Sequence, residues 1–360
     1  MENNSINAFA LFKLPGTSQV KWVSGHCSNQ LKPITEIPDN TFVLSPFNTR
    51  DQAYFFQFEK VEDFQNQHKI LDFIPKLEHT TSFETSTKES YLTLVSKAIN
   101  AIKNSNQKFK KVVLANSKKI EVKDFEPISF FEKLEQAYPK AFVYCIFTPV
   151  SGWWIGASPE SLVNSYNQHY TSIALAGTLP PNADRNFTQK EIDEQHWVEL
   201  FIEQQLQTAN LPFQKMGPTH FETGHLTHLK TSYFFGSDQK QEQILELLKK
   251  LNPTPAVAGL PRDTAIDFIT ENEGISRAFY AGFIGIKQDK NLQLFVNLRC
   301  LQWHNQQISL FAGAGITADS EPQSEWDETQ HKMNTLEKFL FIIFAIGFLF
   351  IKPLLIHTHV

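Results

Sequence analysis

The chain has 360 residues, of which 41% are hydrophobic and 20% charged, values ordinary for a soluble globular protein with one large domain or two small ones. A net charge of −5 argues against a nucleic-acid-binding surface, which needs clustered lysine and arginine. The three cysteines are far apart, show no metal-ligand spacing and predict buried thiols in a reducing compartment. Because no signal segment opens the chain, we expect a cytoplasmic protein. The 32 phenylalanines predict a core rich in aromatic packing.

Roughly the first eighty residues alternate short apolar runs with polar turns, which predicts strands of a meander. Residues 41–45 and 53–58 are the clearest of these strands. A polar stretch over residues 79–90 predicts a connection, and residues 91–103 then predict a helix.

Beyond Lys111, predicted strands and helices interleave without a long linker or a short repeat. The predicted strands are 112–114, 141–147 and 153–156, and the predicted helices are 128–138 and 241–251. This pattern predicts an α+β fold in which two alternating blocks surround large, mostly antiparallel sheets.

Thr188 and Glu191 form a predicted capping box at the start of a helix. That helix carries Glu194 in line with Val198 and Phe201, so the carboxylate should be drawn towards the interior and need a cation. Alternatively, Glu194 is an acid that favours the positive end of the helix dipole.

Two single charges adjoin predicted strands. Lys111 precedes an apolar strand, where a lysine either guards the strand edge or, in a closed site, loses its proton and acts as a base. Glu160 follows Gly-Ala-Ser-Pro and is either a solvated turn acid or an acid that faces a substrate. Arg299 falls in what reads as an apolar strand, and a bidentate carboxylate partner would explain it.

Small residues end two predicted strands, at 174–178 and 311–315. Either segment could present backbone N–H groups to a carboxylate, and either could be a bulge. Residues 251–259, rich in proline and small side chains, predict a rigid turn that walls a pocket.

The helix that follows residue 315 places Glu325, Glu328 and Lys332 on one face. Facing a glycine-lined floor, two carboxylates and an ammonium could hold a divalent cation together with an anionic substrate. The alternative is a solvated Glu328–Lys332 pair that contributes about 0.3–0.5 kcal/mol.

The end of the chain is apolar. Residues 339–351 contain no polar side chain, and Lys352 and Pro353 separate them from a second apolar run at 354–356. Thirteen residues cannot span a hydrocarbon core of about 30 Å. A membrane-contacting tail and a terminal helix packed on the domain both fit this pattern.

Taken in order, these segments resemble the chorismate-utilising enzymes, the family of anthranilate synthase component I, and within it the isochorismate synthases. The resemblance covers roughly residues 90–335 and rests on many independent segments. They are 111–114, 156–160, 174–178, Lys190 with Glu194, 253–257, 280–282, Arg299, 312–315 and Glu325 to Lys332.

The resemblance implies a single chorismate-binding α/β sandwich with two similar subdomains, each an antiparallel sheet flanked by helices. It divides the chain into a variable part (1–85), a catalytic region (86–336) and an apolar tail (337–360). It implies Mg²⁺ held by Glu194 and Glu328, with Glu325 nearby. It implies substrate binding at Ala176, Gly177, Thr178, His228, Tyr280, Arg299, Gly313, Gly315 and Lys332.

The implied reaction converts chorismate to isochorismate, for menaquinone or catechol siderophore synthesis. Lys111 would activate the water that adds at ring carbon 2, and Glu160 would protonate the hydroxyl that leaves carbon 4. Lys111 must then be neutral and Glu160 protonated, and burial favours both states.

Branches of the family differ at two of these positions. Lys111 together with Ala176 implies water as the nucleophile and no glutamine amidotransferase subunit. We expect a monomer. The alternatives are a salicylate synthase, which shares the lysine and also eliminates pyruvate, and a membrane-attached, non-catalytic paralogue. One departure from the family pattern is Gln195, which stands where a histidine usually follows the metal-binding glutamate.

Overall fold

The structure is a computed structural model that describes most of the chain. The described residues are 7–49, 51–64, 85–106, 108–167, 169–179, 186–223, 226–236, 241–289 and 291–349, with the backbone alone for 223 and 341–349. The second apolar run at 354–356 and residues 79–84 of the connection predicted over residues 79–90 lie outside them.

Eighteen strands and six α-helices are found in this described part of the chain. The strands are β1 (Ala8–Lys13), β2 (Lys21–Cys27), β3 (Lys32–Pro33), β4 (Thr41–Ser45), β5 (Gln52–Phe58), β6 (Glu62–Asp63), β7 (Lys111–Glu121), β8 (Phe142–Thr148), β9 (Gly152–Ser158), β10 (Ser161–Tyr166), β11 (His169–Leu179), β12 (Phe213–Thr223), β13 (Leu226–Phe235), β14 (Gly259–Leu260), β15 (Phe283–Gln288), β16 (Asn291–Val296), β17 (Cys300–His304) and β18 (Gln307–Ile316). The helices are α1 (Lys88–Asn104), α2 (Pro127–Ala137), α3 (Gln189–Thr208), α4 (Gln241–Leu251), α5 (Arg262–Asn272) and α6 (Pro322–Leu349).

The strands pair antiparallel in two runs joined through the N-terminal strands. One run is β12-β13-β11-β10-β16-β15-β4-β5, and the other is β2-β1-β8-β9-β17-β18-β7-β14. Strand β5 also pairs with β2 and so connects them. The predicted N-terminal meander therefore lies in the middle of the strand order.

Helices cover both runs. Helix α3 packs on β11 and β13, and α4 packs on α3 and β10. On the other run α6 packs on β18, α2 on β8 and β9, and α5 on β7 and β14, while α1 lies against α6 and β7. This arrangement confirms the predicted α+β fold, in which antiparallel sheet is flanked by helices.

Aromatic side chains fill the space between the two runs, as the phenylalanine content predicts. The Phe142 ring on β8 stacks on the Phe295 ring on β16, with centroids 4.4 Å apart. Alternate residues of β8 serve two cores, because side chains along a strand point to opposite faces. Phe142, Tyr144 and Ile146 join the central core, while Val143, Cys145 and Phe147 pack with α2 and α6. The three cysteines are buried and free, as predicted.

The predicted helices and strands are present with shifted ends. The helix predicted from Tyr91 begins at Lys88, because Thr87 caps it by accepting a hydrogen bond from Ser90 N at 3.1 Å. Helix α6 runs without a break past residue 337, and Leu340 is buried beside Met333 and Leu336. Across the described residues, no helix is both long enough and apolar enough to cross a membrane.

A buried ion pair completes the hydrogen bonding of β7. Strand β7 pairs with β14 only over a short stretch. Beyond it, the carbonyl of Val113 accepts a hydrogen bond from Arg277 Nη2 and the N–H of Ala115 donates one to Glu273 Oε1, both at 2.6 Å. Arg277 also bonds both Glu273 oxygens and donates to Val257 O at 3.0 Å. Both side chains are only 2% exposed. The pair thus occupies the place that a further strand would take.

Replacing Arg277 by Met should lower the free energy of unfolding by about 3–5 kcal/mol, because Glu273 would stay buried without its partner. Urea denaturation measures this loss. The matched control is Lys249→Met, which breaks a partly exposed pair with Glu246 and should cost no more than about 1 kcal/mol. Equal losses in the two variants would contradict a structural role for the Glu273–Arg277 pair.

Candidate active site

A cavity of about 120 Å³ lies where β7 and β18 of one run meet β11 and β13 of the other. Helices α3 and α6 close its side. All the sequence-predicted site residues except Glu325 line it: Lys111, Glu160, Ala176, Gly177, Thr178, Glu194, His228, Tyr280, Arg299, Gly313, Gly315, Glu328 and Lys332. The segments that sequence analysis singled out separately therefore meet at one place.

Lys111 is buried and not an edge guard, since its side chain is 3% exposed. Its Nζ lies 3.3 Å from Glu194 Oε2, so Glu194 finds the cation that its position on α3 predicts. Gly315 leaves the space that Lys111 occupies. A Cβ at residue 315 would lie 2.7 Å from Lys111 Cε and 3.3 Å from Glu194 Oε1, so a side chain there would displace the lysine.

Glu160 is buried between β9 and β10 and is not a solvated turn acid. Its Oε1 has no hydrogen-bond partner among the described residues. Burial raises the pKa of Glu160 to about 8, and the nearby Lys111 ammonium opposes that rise. Glu160 is therefore protonated at neutral pH and can donate a proton into the cavity.

A bulge at Gly177 turns the end of β11 into the cavity. The register with β13 shifts between Ala176 and Thr178, and Gly177 has a φ of +62°. The left-handed backbone suits glycine, and a Cβ there would lie 3.0 Å from Glu191. Of the two small-residue segments predicted as possible bulges, this one is a bulge.

Thr178, His228 and Arg299 form a chain of contacts along one wall. His228 Nδ1 lies 3.2 Å from Thr178 Oγ1, and its Nε2 lies 2.9 Å from Arg299 Nη2. Burial, with Arg299 and Lys332 nearby, lowers the pKa of His228 well below its usual range, so the ring is neutral. Because a guanidinium can only donate, Nε2 accepts and the proton resides on Nδ1.

The sequence placed Arg299 inside a strand, and that prediction is wrong. Arg299 lies in the connection between β16 and β17 with a φ of +48°, a left-handed conformation that ends the extended run. The resulting turn brings the guanidinium to His228 and into the cavity wall. Burial lowers the pKa of Arg299 to about 10, which still leaves it charged at neutral pH.

The predicted charged face of α6 is present, with partners from two directions. Lys332 Nζ donates to Glu328 Oε1 at 2.7 Å and to Gly313 O at 2.8 Å, which ties the helix to β18. Glu325 is buried and instead accepts from Lys190 of α3 at 2.8 Å. Burial acts to raise the pKa of Glu328, but Lys332, together with the nearby Lys190 and Lys111, outweighs it, so the pKa lies below its usual value and the carboxylate is ionised.

The carboxylates assigned to magnesium suit that ion in chemistry. Glu194 and Glu328 line the cavity from facing helices, and Glu325 has a buried Oε2 without a hydrogen-bond partner in the described structure. Within the described ranges, no three His, Cys, Asp or Glu side chains are grouped closely enough to hold a metal by themselves. Mg²⁺ is usually bound by one or two carboxylates and completes its shell with water and substrate, so this donor set fits it. The metal assignment stays a prediction.

Several residues that shape the site were not predicted as such. Lys190 lines the cavity, and Glu273 and Arg277 support it from outside, whereas Val257 lines it as predicted for the turn at 251–259. Lys190 was part of the matched pattern but had no assigned role, and it lies in the first turn of α3, four residues before Glu194. The ion pair with Glu325 spans 135 residues of sequence, so local spacing could not reveal it.

The chain is similar to known proteins in sequence and in fold. Residues 43–341 match the chorismate binding enzyme family. The chain is 32% identical over 259 residues to the salicylate biosynthesis isochorismate synthase of Pseudomonas aeruginosa, covering 68% of this chain and 53% of that protein. It is 35% identical over 195 residues to the vibriobactin-specific isochorismate synthase of Vibrio cholerae, covering 51% and 49%.

The aligned regions thus span about half the length of these curated relatives. The fold is similar to that of DhbC from Bacillus anthracis, with a TM-score of 0.77 over 93% of this chain and 96% of the other, at 23% identity. At that identity the likeness concerns the fold. Because the family match covers most of the chain, the chain belongs to the chorismate-binding enzyme family.

Proposed function

We propose that this protein is an Mg²⁺-dependent isochorismate synthase, which adds water at carbon 2 of chorismate as the hydroxyl leaves carbon 4. The observation that supports this most directly is the placement of Lys111 and Glu160 on one cavity. A buried amine and a protonated carboxyl are the base and the acid that such an exchange requires. The isochorismate synthase names of the aligned relatives agree with this proposal.

In this proposal Lys111, which is paired with Glu194 as a cation in the ligand-free protein, loses its proton before it takes one from the attacking water. Glu160 gives a proton to the leaving hydroxyl. The two residues reach the cavity from different strands, β7 and the β9–β10 connection. The unpaired Glu160 Oε1 leaves that carboxyl free to contact a substrate oxygen. The supply of one proton and the removal of another balance, so the reaction needs no external acid or oxidant.

The cationic side chains would hold the two carboxylates of chorismate. Arg299 and Lys332 are charged groups in the cavity wall, and Tyr280 supplies a hydroxyl there. The bulge at Gly177 places backbone next to them. Glu194 and Glu328, with Glu325 nearby, would hold Mg²⁺, which when bound supplies positive charge to a substrate carboxylate.

We also propose that the protein works in the cytoplasm without a glutamine amidotransferase subunit, and as a monomer. Lys111 and Ala176 both face the cavity, where the family resemblance associates this pair of residue types with water and not ammonia as nucleophile. The product would supply menaquinone or catechol siderophore synthesis.

The direct test is incubation of the purified protein with chorismate and Mg²⁺, followed by chromatographic separation of the products. Isochorismate alone is the expected result. Salicylate with pyruvate would replace the proposal by a salicylate synthase, and unchanged chorismate would mean a non-catalytic paralogue.

Replacing Lys111 by Ala should reduce kcat/KM by about 10²–10⁴-fold, because the water would lose its base. Chorismate binding, measured by calorimetry, should stay close to that of the wild type. The control is Lys110→Ala, since Lys110 is the exposed neighbour and should leave turnover unchanged. Substantial turnover in the Lys111 variant would rule out its role as base.

The rate should fall with rising pH through about 8. Glu160 has its pKa raised to about 8, and only its protonated form can donate, so the active fraction declines above that value. We expect kcat/KM to decrease about tenfold per pH unit beyond it. The control is Glu246→Gln, which changes an exposed carboxylate on α4 and should leave this decrease of kcat/KM above pH 8 unchanged. A profile that is flat well above pH 8 would contradict the assignment of Glu160 as the acid.

Replacing Glu328 by Gln should raise the Mg²⁺ concentration needed for half-maximal activity by about tenfold or more, because a carboxylate ligand is lost. The readout is the Mg²⁺ dependence of turnover. Glu337→Gln changes a carboxylate on the same helix that pairs with Lys118, and should leave that dependence unchanged. Identical Mg²⁺ dependence in the two variants would remove Glu328 from the metal site.

A further inference from the structure

Gln195 is fully buried on α3 directly after Glu194, yet it does not line the cavity. Its Oε1 accepts a hydrogen bond from Ala176 N at 2.9 Å, and its Nε2 donates to Ala174 O at 3.3 Å. Nε2 also lies 3.1 Å from Thr231 Oγ1 on β13. One side-chain amide therefore joins a helix to two strands of the site.

The two backbone contacts have the pattern of a neighbouring strand. A side-chain amide carries an acceptor and two donors on one carbon, so it can bond the N–H of Ala176 and the carbonyl of Ala174 together. An imidazole holds its two nitrogens on separate sides of the ring and fits only one of these groups at a time. The next residue, His196, is exposed.

The contact sits where β11 needs it most. Ala176 immediately precedes the bulge at Gly177, at which the pairing with β13 shifts. A bulge interrupts the ladder, so local position depends on other contacts. Glu191, one turn before Gln195 on α3, packs against Gly177. Helix α3 thus contacts β11 at two consecutive residues, Ala176 and Gly177.

Beyond the bulge, Thr178 Oγ1 contacts His228, and His228 contacts Arg299. We propose that Gln195 is a positioning residue. It fixes the Gly177–Thr178 bulge relative to α3, and so sets the distance of His228 and Arg299 from Glu194, which lies on that helix. Its role rests on the proposed function, in which this wall binds a substrate carboxylate while Glu194 serves the metal.

The test compares Gln195→Met, which keeps the side-chain length and removes both backbone bonds, with Gln204→Met at an exposed position of α3. In the ligand-free protein, amide hydrogen exchange over residues 174–179 should be about tenfold faster in the Gln195 variant alone. The KM for chorismate should rise about tenfold while kcat stays within about threefold.

Gln195→His is the second variant, for use if Gln195→Met does not fold. It should show faster exchange of either the Ala176 amide or its neighbours, and a KM between those of the wild type and the Met variant. Wild-type exchange at Ala176 in a folded Gln195 variant, or a loss of kcat at unchanged KM, would overturn the proposed role. A wild-type protein that does not convert chorismate would instead overturn the proposed function, and the exchange measurement would still decide the role of Gln195 in holding the bulge.

Discussion

The cavity depends on hydrogen bonds that replace missing strand neighbours. Strands β7 and β11 are paired along the site by β18 and β13, and buried backbone groups that these neighbours leave unpaired must be bonded elsewhere. Glu273 and Arg277 serve Val113 and Ala115 of β7, and Gln195 serves β11. Side chains from helices provide the hydrogen bonds that a further strand would provide, and they take up less space than a strand. Space for a ligand can therefore remain between the two runs.

Desolvation then separates the roles of the charged groups. Each of the lysines Lys111, Lys190 and Lys332 has a helix carboxylate as its partner, which offsets the cost of burial. Glu160 has an oxygen without a hydrogen-bond partner in the described structure, so it keeps its proton. An anionic ligand entering the cavity would meet cations that are already held in place, so binding would not require ordering of free side chains.

Local spacing predicted the parts of this site that lie within one element. The capping contact, in which Thr188 N donates to Glu191 Oε2 at 2.8 Å, and the Glu328–Lys332 pair both follow from residues three or four apart. The burial of Lys111 and Glu160 could not be decided locally, because an edge lysine and a turn acid are equally consistent with those segments. The family resemblance decided it, by placing both residues in one site.

Long-range partners account for what the sequence left out. Glu273 bonds a backbone N–H 158 residues away, and Gln195 bonds one 19 residues earlier across a connection, so neither contact has a periodicity to read. Arg299 was misplaced for a different reason. The residues around it are mostly apolar, as in a strand. The left-handed backbone that ends the strand is adopted by the arginine itself, so no glycine in the sequence indicates the turn.

Helix α6 shows how the site is fixed to the rest of the fold. Its first turns carry Glu325, Glu328 and Lys332, and its later turns bury Leu336 and Leu340 against the core around α2. Phe339 packs edge-on against Tyr138, with ring centroids 6.0 Å apart. The start of the apolar run therefore closes the core and anchors the charged face. Because the helix is unbroken, its charged turns cannot shift along β18 without unpacking that anchor, which holds the carboxylates in register with Gly313 and Gly315.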